Sequence, residues 1–386
     1  MAGIDEQGFP IGFKVGAGNR ISTLAEGAPG DDIVTAEVRH VGHHQKEAVV
    51  EEGRGGPVWR LASDEGLHLK GTDLAPFPLG YYNAGLQADL AGCIVRLARL
   101  RGIAIDTLSM ELVTAYSLSG SFVQGTGQGV AEHVTVDVVV AANASPQAIA
   151  ALVRDAAAAS PALAMVTSPI DNTFALYVNG RRRNPATLRA SQADNAADPF
   201  VKYAKAPAPM AGDFAHLVVK CAEKQPGEPV LAPVSGRVVR EVKGRGAWLV
   251  REGLFRTRVA LNLPGSTIYE FTADESAAAT APTGLALATA GIAFCYITQI
   301  SRYIENMTLP IRGIRLVQAS PYGITADGRG TAAPCDTHLF LKGETDDETF
   351  EMLQRVSANT CYLHQTMIHL PPLRIAVRHN GEVLQS

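Results

Sequence analysis

Apolar residues recur at helical spacing between Leu79 and Leu100, with Leu86, Leu90, Cys93, Ile94 and Leu97 on one stripe, which predicts a long helix carrying Cys93 on its buried side. Segments Leu108–Leu118 and His133–Ala141 instead alternate in polarity and are β-branched, most plainly across Val134-Thr135-Val136-Asp137-Val138. They predict two long strands, and Gly125–Gly129 (Gly-Thr-Gly-Gln-Gly) between them is a hairpin turn rather than a phosphate cradle, because it opens no helix. Ser145 before Pro146 marks the start of a second helix through Ala158, and Phe174–Val178 is a further strand. Extended, glycine-punctuated stretches precede all of this at Gly12–Val15, Ile33–Val41 and Pro57–Ala62.

Between Arg181 and Met210 the apolar period disappears, and Ala206-Pro207-Ala208-Pro209 reads as linker. The same order then returns: strands at His216–Val219, Gly236–Val242, Ala247–Val250 and Arg256–Leu261, a helix from Gly284 to Ile304, strands Gly313–Ala319 and Thr337–Leu341, a helix Asp346–Ser357, and a strand Leu373–Val377. The longest apolar run, Leu285–Ile297, is 13 residues and contains Thr289, which suits a buried helix and is too short for a bilayer.

The recurrence is also one of landmarks. Cys93 lies 67 residues before Ser160, and Cys295 lies 66 before Cys361; Ser160 and Cys361 each precede an Asn-Gly glycine, Gly180 and Gly381, by 20. Upstream, Asp64-Glu65 and Asp274-Glu275 each lead through an Ala-Pro into the cysteine-bearing helix. The chain is therefore read as one α+β unit used twice: residues 1–183 with a degenerate site, a linker over 184–211, and residues 212–386 with a cysteine pair. Each unit is expected to be a bent antiparallel sheet packed on a long central helix. The 386-residue length, with 46% apolar and 19% charged residues, suits two globular units.

A formal charge of −4 offers no electrostatic case for nucleic acid or an anionic membrane, and the run Arg181-Arg182-Arg183 reads as a solvated linker start. Met1–Pro10 has no charged segment leading into an apolar one, and the five cysteines are unclustered. A reducing cytoplasm with individual thiols is the expectation.

In the first half Ser63-Asp64-Glu65, Gly71-Thr72-Asp73-Leu74-Ala75-Pro76 and Leu90-Ala91-Gly92-Cys93, and in the second Ala290-Gly291-Ile292-Ala293-Phe294-Cys295 and Cys361-Tyr362-Leu363-His364-Gln365-Thr366, resemble the two cysteine-bearing stretches of the OsmC/Ohr superfamily. The resemblance covers most of both halves. It implies an α+β fold that elsewhere in the family works as an intertwined dimer, here fused into an internal pseudo-dimer, with further assembly of chains left open. It also implies that Cys295 attacks an organic hydroperoxide and Cys361 resolves the product. The organic hydroperoxide reductases place a glutamate about three helical turns before the first cysteine, together with an arginine from an early strand. Here Leu285 stands ten residues before Cys295, with Asp274 and Glu275 displaced, and Arg237, Arg240, Arg256 and Arg258 are the candidate arginines. In the first half Ser160 replaces the resolving thiol and Asn83 stands ten residues before Cys93, which leaves Cys93 as either a second nucleophile or a structural thiol.

The chemistry demands this pairing. The thiolate, not the thiol, attacks, and a free cysteine with a pKa of about 8.5 must be shifted to do so at neutral pH. The sulfenic acid that results is protected when a neighbouring thiol captures it as a disulfide. His364, three residues after Cys361, is a candidate accessory base or a packing residue. Cys221 and Cys335 match no family position, and His40, His43 and His44 complete no metal-ligand pattern, so neither metal nor cofactor is expected. The first reading is thus an OsmC-like thiol peroxidase acting on a small apolar substrate, in a pocket walled by Leu285, Leu287, Ile292, Phe294 and Tyr296, and recycled by a thiol reductant. The alternatives are a cysteine-dependent hydrolase or group-transfer enzyme on an apolar electrophile, and a non-enzymatic ligand-binding protein.

Overall fold

The computed structural model describes residues 3–16, 32–53, 55–199, 206–228 and 238–384. Arg237 and the start of the strand expected from Gly236 lie outside them. The first half contributes β1 (Gly12–Lys14), β2 (Asp32–Gly42), β3 (Gln45–Glu52), β4 (Val58–Ser63), α1 (Pro78–Leu100), β5 (Ile105–Ser119), β6 (Gln128–Ala142), α2 (Pro146–Ala158), α3 (Pro161–Thr167), β7 (Thr173–Val178) and β8 (Arg181–Arg183). The second contributes β9 (Val218–Lys224), β10 (Arg240–Leu249), β11 (Leu254–Leu261), β12 (Thr267–Ala273), α4 (Gly284–Met307), β13 (Ile311–Ile324), β14 (Gly330–Ala332), β15 (Asp336–Gly343), α5 (Asp347–Thr360), α6 (Tyr362–His369), β16 (Leu373–His379) and β17 (Glu382–Leu384).

These elements form a mixed α+β structure with two sheets, and neither sheet belongs to one half. One runs β1-β4-β3-β2-β13-β15-β7-β8, with β14 beside β13; the other runs β17-β16-β6-β5-β10-β11-β12-β9. The expectation of a separate, wholly antiparallel sheet in each half is corrected here. Strands of the two halves pair along β2–β13 and β5–β10, and β7–β15 and β6–β16 are parallel. A parallel pair needs a long crossover, and here the crossover is the rest of the chain.

The helices interlock in the same way. α1 of the first half packs on β10 and β11 of the second, while α4 packs on β2 and β3 of the first. Between the sheets α1 and α4 cross antiparallel at glycines, where backbone touches backbone. A methyl group added at Gly85 would sit 2.5 Å from Gly284 O and 2.6 Å from Ala288 N; one at Gly291 would sit 2.7 Å from Tyr82 N. α4 is longer than the apolar run predicted, because Thr298, Gln299 and Ser301 are also buried. By length and composition it could cross a membrane, but 94% of its most apolar stretch is buried inside the fold.

β3 escaped the sequence reading because Gln45-Lys46-Glu47 and Glu51-Glu52 look solvent-facing. Its charges are instead paired in place: Glu47 binds Arg60 at 2.8 Å on one face, and Lys46 heads the inward row with Ala48 and Val50. The linker is also less free than its composition suggests. Its backbone pairs with Phe174 through Arg189 O and Ser191 N, the Ser191 hydroxyl donates to Asp336 at 2.8 Å, and Asp198 holds Arg315 at 2.6 Å. Ala196 packs against the smaller apolar cluster of the first sheet, which includes Phe13, Ala175, Tyr177 and Phe340.

Candidate functional site

Cys361 terminates α5 and is the N-cap of α6, an element that the sequence reading, which ended the preceding helix at Ser357, did not predict. Its sulfur makes no capping hydrogen bond, but the backbone N–H groups of Leu363 and His364 at the start of α6 favour its charged form. It also neighbours Cys295 on α4. Burial pushes the Cys361 thiol well above the usual range, and the neighbouring Cys295 pushes it further. The structure thus brings the two sequence-predicted sulfurs together.

Cys295 is 2% exposed, but it forms part of the wall of a cavity of about 350 Å³. That volume falls within the ~300–1,000 Å³ of small-molecule sites. The apolar wall comes from Phe77, Leu79, Leu118 and Leu261. The expected wall is corrected: Leu287, Ile292, Phe294 and Tyr296 are closed in the core, and Leu285 lines a different cavity.

The helix crossing explains the displacement. Because α1 and α4 run antiparallel, the start of α4 approaches Cys93 and the start of α1 approaches Cys295. A carboxylate sought ten residues upstream of Cys295 is thus sought at the wrong cavity. The carboxylate at the Cys295 cavity is Glu65 of the first half, and Glu275 stands at the Cys93 cavity. The repeated Asp-Glu pair carried this signal, but nothing in one dimension says the two copies exchange places.

Glu65 belongs to a buried network. Thr298, one turn beyond Cys295 on α4, donates to Glu65 Oε1 at 2.7 Å, and Lys46 Nζ donates to Thr298 Oγ1 at 2.8 Å while lying 3.5 Å from Glu65. Lys46 is fully buried; burial pushes its pKa down, while Glu65, Asp64 and the Cys295 sulfur favour its charge. Among the candidate arginines Arg240 lines the cavity, joined by Arg302, which donates to Gln299 at 3.0 Å. Arg256 and Arg258 point elsewhere, to Glu270 and Glu223. Lys46, Thr298 and Arg302 were not singled out as site residues from the sequence, and Glu65 only as part of a motif.

His364 is 1% exposed, with both ring nitrogens unpartnered and aromatic contacts to Phe174 and Tyr296. Burial pushes its pKa down to about 3, so it is a neutral packing ring and not a base poised near neutrality. His44 meets Ser301 at 3.4 Å, and the described residues contain no group of three or more His, Cys, Asp or Glu side chains that could hold a metal. Cys335 is buried against Ser320.

At the first-half site Ser160 is the N-cap of α3, as Cys361 is of α6, but its side chain does cap the helix, accepting from Leu163 N at 3.1 Å. In place of a thiol it faces Asp89, to which its hydroxyl donates. Cys93 points to Ala159 O at 3.6 Å, with Arg96 at 3.5 Å, and burial followed by the nearby Asp89 pushes its thiol up to about 12. No second thiol stands at this site among the described residues.

No family model matches the chain, and no curated protein is similar to it. Among solved structures it is similar to an OsmC-like hydroperoxide resistance protein from Jannaschia sp. CCS1, at 19% identity over 34% of this chain and 83% of that one, with a TM-score of 0.21.

Proposed function

We propose that this chain is a fused pair of OsmC-like units, a pseudo-dimer within one polypeptide, that reduces organic hydroperoxides through Cys295 and Cys361. The observation that carries this reading is that Cys361 neighbours Cys295, which lines a cavity with apolar walls. The Cys295 thiolate attacks the distal oxygen of the hydroperoxide, the O–O bond breaks, and an alkoxide leaves to take up a proton as the alcohol. Cys295 is then a sulfenic acid. Cys361 attacks that sulfur, a disulfide forms, and water departs. The helix-end amides of Leu363 and His364 stabilise Cys361 as it gives up its proton, and Lys46 and Arg240 supply positive charge near the attacking sulfur. Two electrons from an external thiol reductant close the cycle. The reading assigns residues 1–183 and 212–386 to the two units, keeps the protein in a reducing cytoplasm, and gives Cys93 no part in turnover.

The test is a stoichiometric pulse of cumene hydroperoxide on the reduced protein, with thiol titration and disulfide mapping. Loss of two thiols as a Cys295–Cys361 link is expected. Thiols that stay intact, or a loss confined to other cysteines, would sink the peroxidase reading and return the hydrolase and binding readings to the front.

A further inference from the structure

The larger of the two cysteine cavities, about 510 Å³, lies beside Cys93 and takes no part in the chemistry above. Its polar lining is built mainly from acids. Asp89 is only 5% exposed; its Oδ2 accepts from the Ser160 hydroxyl and from Ala162 N at 3.1 Å, while Oδ1 faces the cavity with no hydrogen-bond partner among the described residues. Glu275 uses one oxygen to accept from Gly284 N at 2.6 Å and leaves the other unbonded. The approach of Glu275 to α1 depends on Gly92, where a methyl group would sit 2.6 Å from Glu275 Cγ. Asp32 stands at the same cavity, and the one cation among its described lining residues, Arg96, lies 3.5 Å from the Cys93 sulfur. Leu285, Pro161 and the half-exposed Ile324 supply apolar wall.

We propose that this cavity binds a small primary ammonium compound with an apolar body. An ammonium group offers three N–H donors and no acceptor, which matches the unbonded carboxyl oxygens of Asp89 and Glu275. The apolar body would lie against Leu285, Pro161 and Ile324. A metal ion is not the occupant the residues suit, since they form no ligand set. A hydroperoxide is not either, since the Cys93 thiol is held protonated. Burial pushes both carboxyl groups upward and the nearby Asp89 pushes Glu275 further, a repulsion that a bound ammonium ion relieves. Binding should therefore release protons. The ammonium group could come from a simple amine or from an apolar amino acid, whose carboxylate Arg96 could accept.

The experiment is calorimetric titration of the full chain with isoamylamine, leucine and isovalerate, in buffers of different ionisation heat. Isoamylamine should bind with proton release and isovalerate should not bind. Leucine binding as tightly or more tightly identifies an amino acid as the source, whereas leucine failing where isoamylamine binds identifies a simple amine. Glu275→Gln should weaken amine binding about tenfold or more, the worth of one charge-assisted hydrogen bond. Ile324→Trp, at the rim, should block the cavity without touching the carboxyls and keeps the test available should Glu275→Gln misfold. Disulfide formation at Cys295 should be the same with the amine present. The proposal is overturned by isovalerate binding as well as isoamylamine, by no heat from either amine, or by affinity unchanged in both variants.

Discussion

Lys46→Met removes a buried cation that interacts with both Glu65 and Cys295. At the 3.5 Å between Lys46 Nζ and Glu65 Oε1, an effective dielectric of about 20 gives an attraction of about 5 kcal/mol. Much of that offsets the cost of taking both charges out of water, so the pair's net contribution is small. Removing the lysine alone, however, leaves Glu65 buried and charged, which costs about 3–5 kcal/mol in comparable pairs. Adding Glu65→Gln removes the stranded charge and should recover at least about 2 kcal/mol, a coupling measurable by a double-mutant cycle in urea unfolding. The second readout is the pH profile of Cys295 alkylation by iodoacetamide in a Cys93→Ser, Cys221→Ser, Cys335→Ser background. The midpoint should move upward in Lys46→Met and return in Lys46→Arg. A stability loss below about 1 kcal/mol with additive single changes would refute the ion-pair reasoning. An unmoved alkylation profile would refute the link between Lys46 and the thiolate, whatever the peroxide pulse shows.

Cys361→Ser should abolish the disulfide after a cumene hydroperoxide pulse and let Cys295 accumulate as sulfenic and then sulfinic acid, read by mass spectrometry; an unchanged disulfide yield would reassign the resolving thiol. His364→Leu bears on acid stability. The folded pKa of about 3 lies below the unfolded 6.5, so the stabilisation is complete above pH 6.5 and falls by about 1.4 kcal/mol per unit as pH drops toward the folded value. The leucine variant should lose that share of the slope between pH 6 and about 4, and an identical slope in urea unfolding would show that His364 titrates normally. Gly85→Ala should force α1 and α4 apart at a contact of 2.5 Å and cost about 1–3 kcal/mol or more in the unfolding midpoint. A neutral effect would mean the crossing is looser than its geometry.

Much of the local structure was legible in one dimension because its causes are local. The stripe through Leu86, Leu90 and Cys93 anticipated α1 to within a residue at its start, and Ser145 accepts from Ala148 N at 3.2 Å as a cap before proline should. Alternation along Val134–Val138 lies within β6. The misses share one physical source. β3 was hidden because its charges are neutralised by partners from other segments, and α6 was hidden because Cys361 carries no polar-cap signature in front of it. Strands predicted at Gly236–Val242 and Ala247–Val250 merge into β10, whose interior glycines pack where side chains would not fit: a methyl group at Gly244 would strike Gln87 and Asn83 of α1.

The sequence by itself determined the repeated order of helices and strands, the spacing of its cysteines, and the substitution of serine for sulfur at position 160, since periodicity and residue type are carried by the chain alone. Only the tertiary structure decided which half supplies the surroundings of each cysteine. α1 and α4 cross antiparallel at glycines and the strands of the two halves share sheets, so Glu65 and Lys46 meet Cys295 across the fold, and Glu275 and Leu285 go to Cys93. Burial and electrostatics act through space, and distance along the chain records neither.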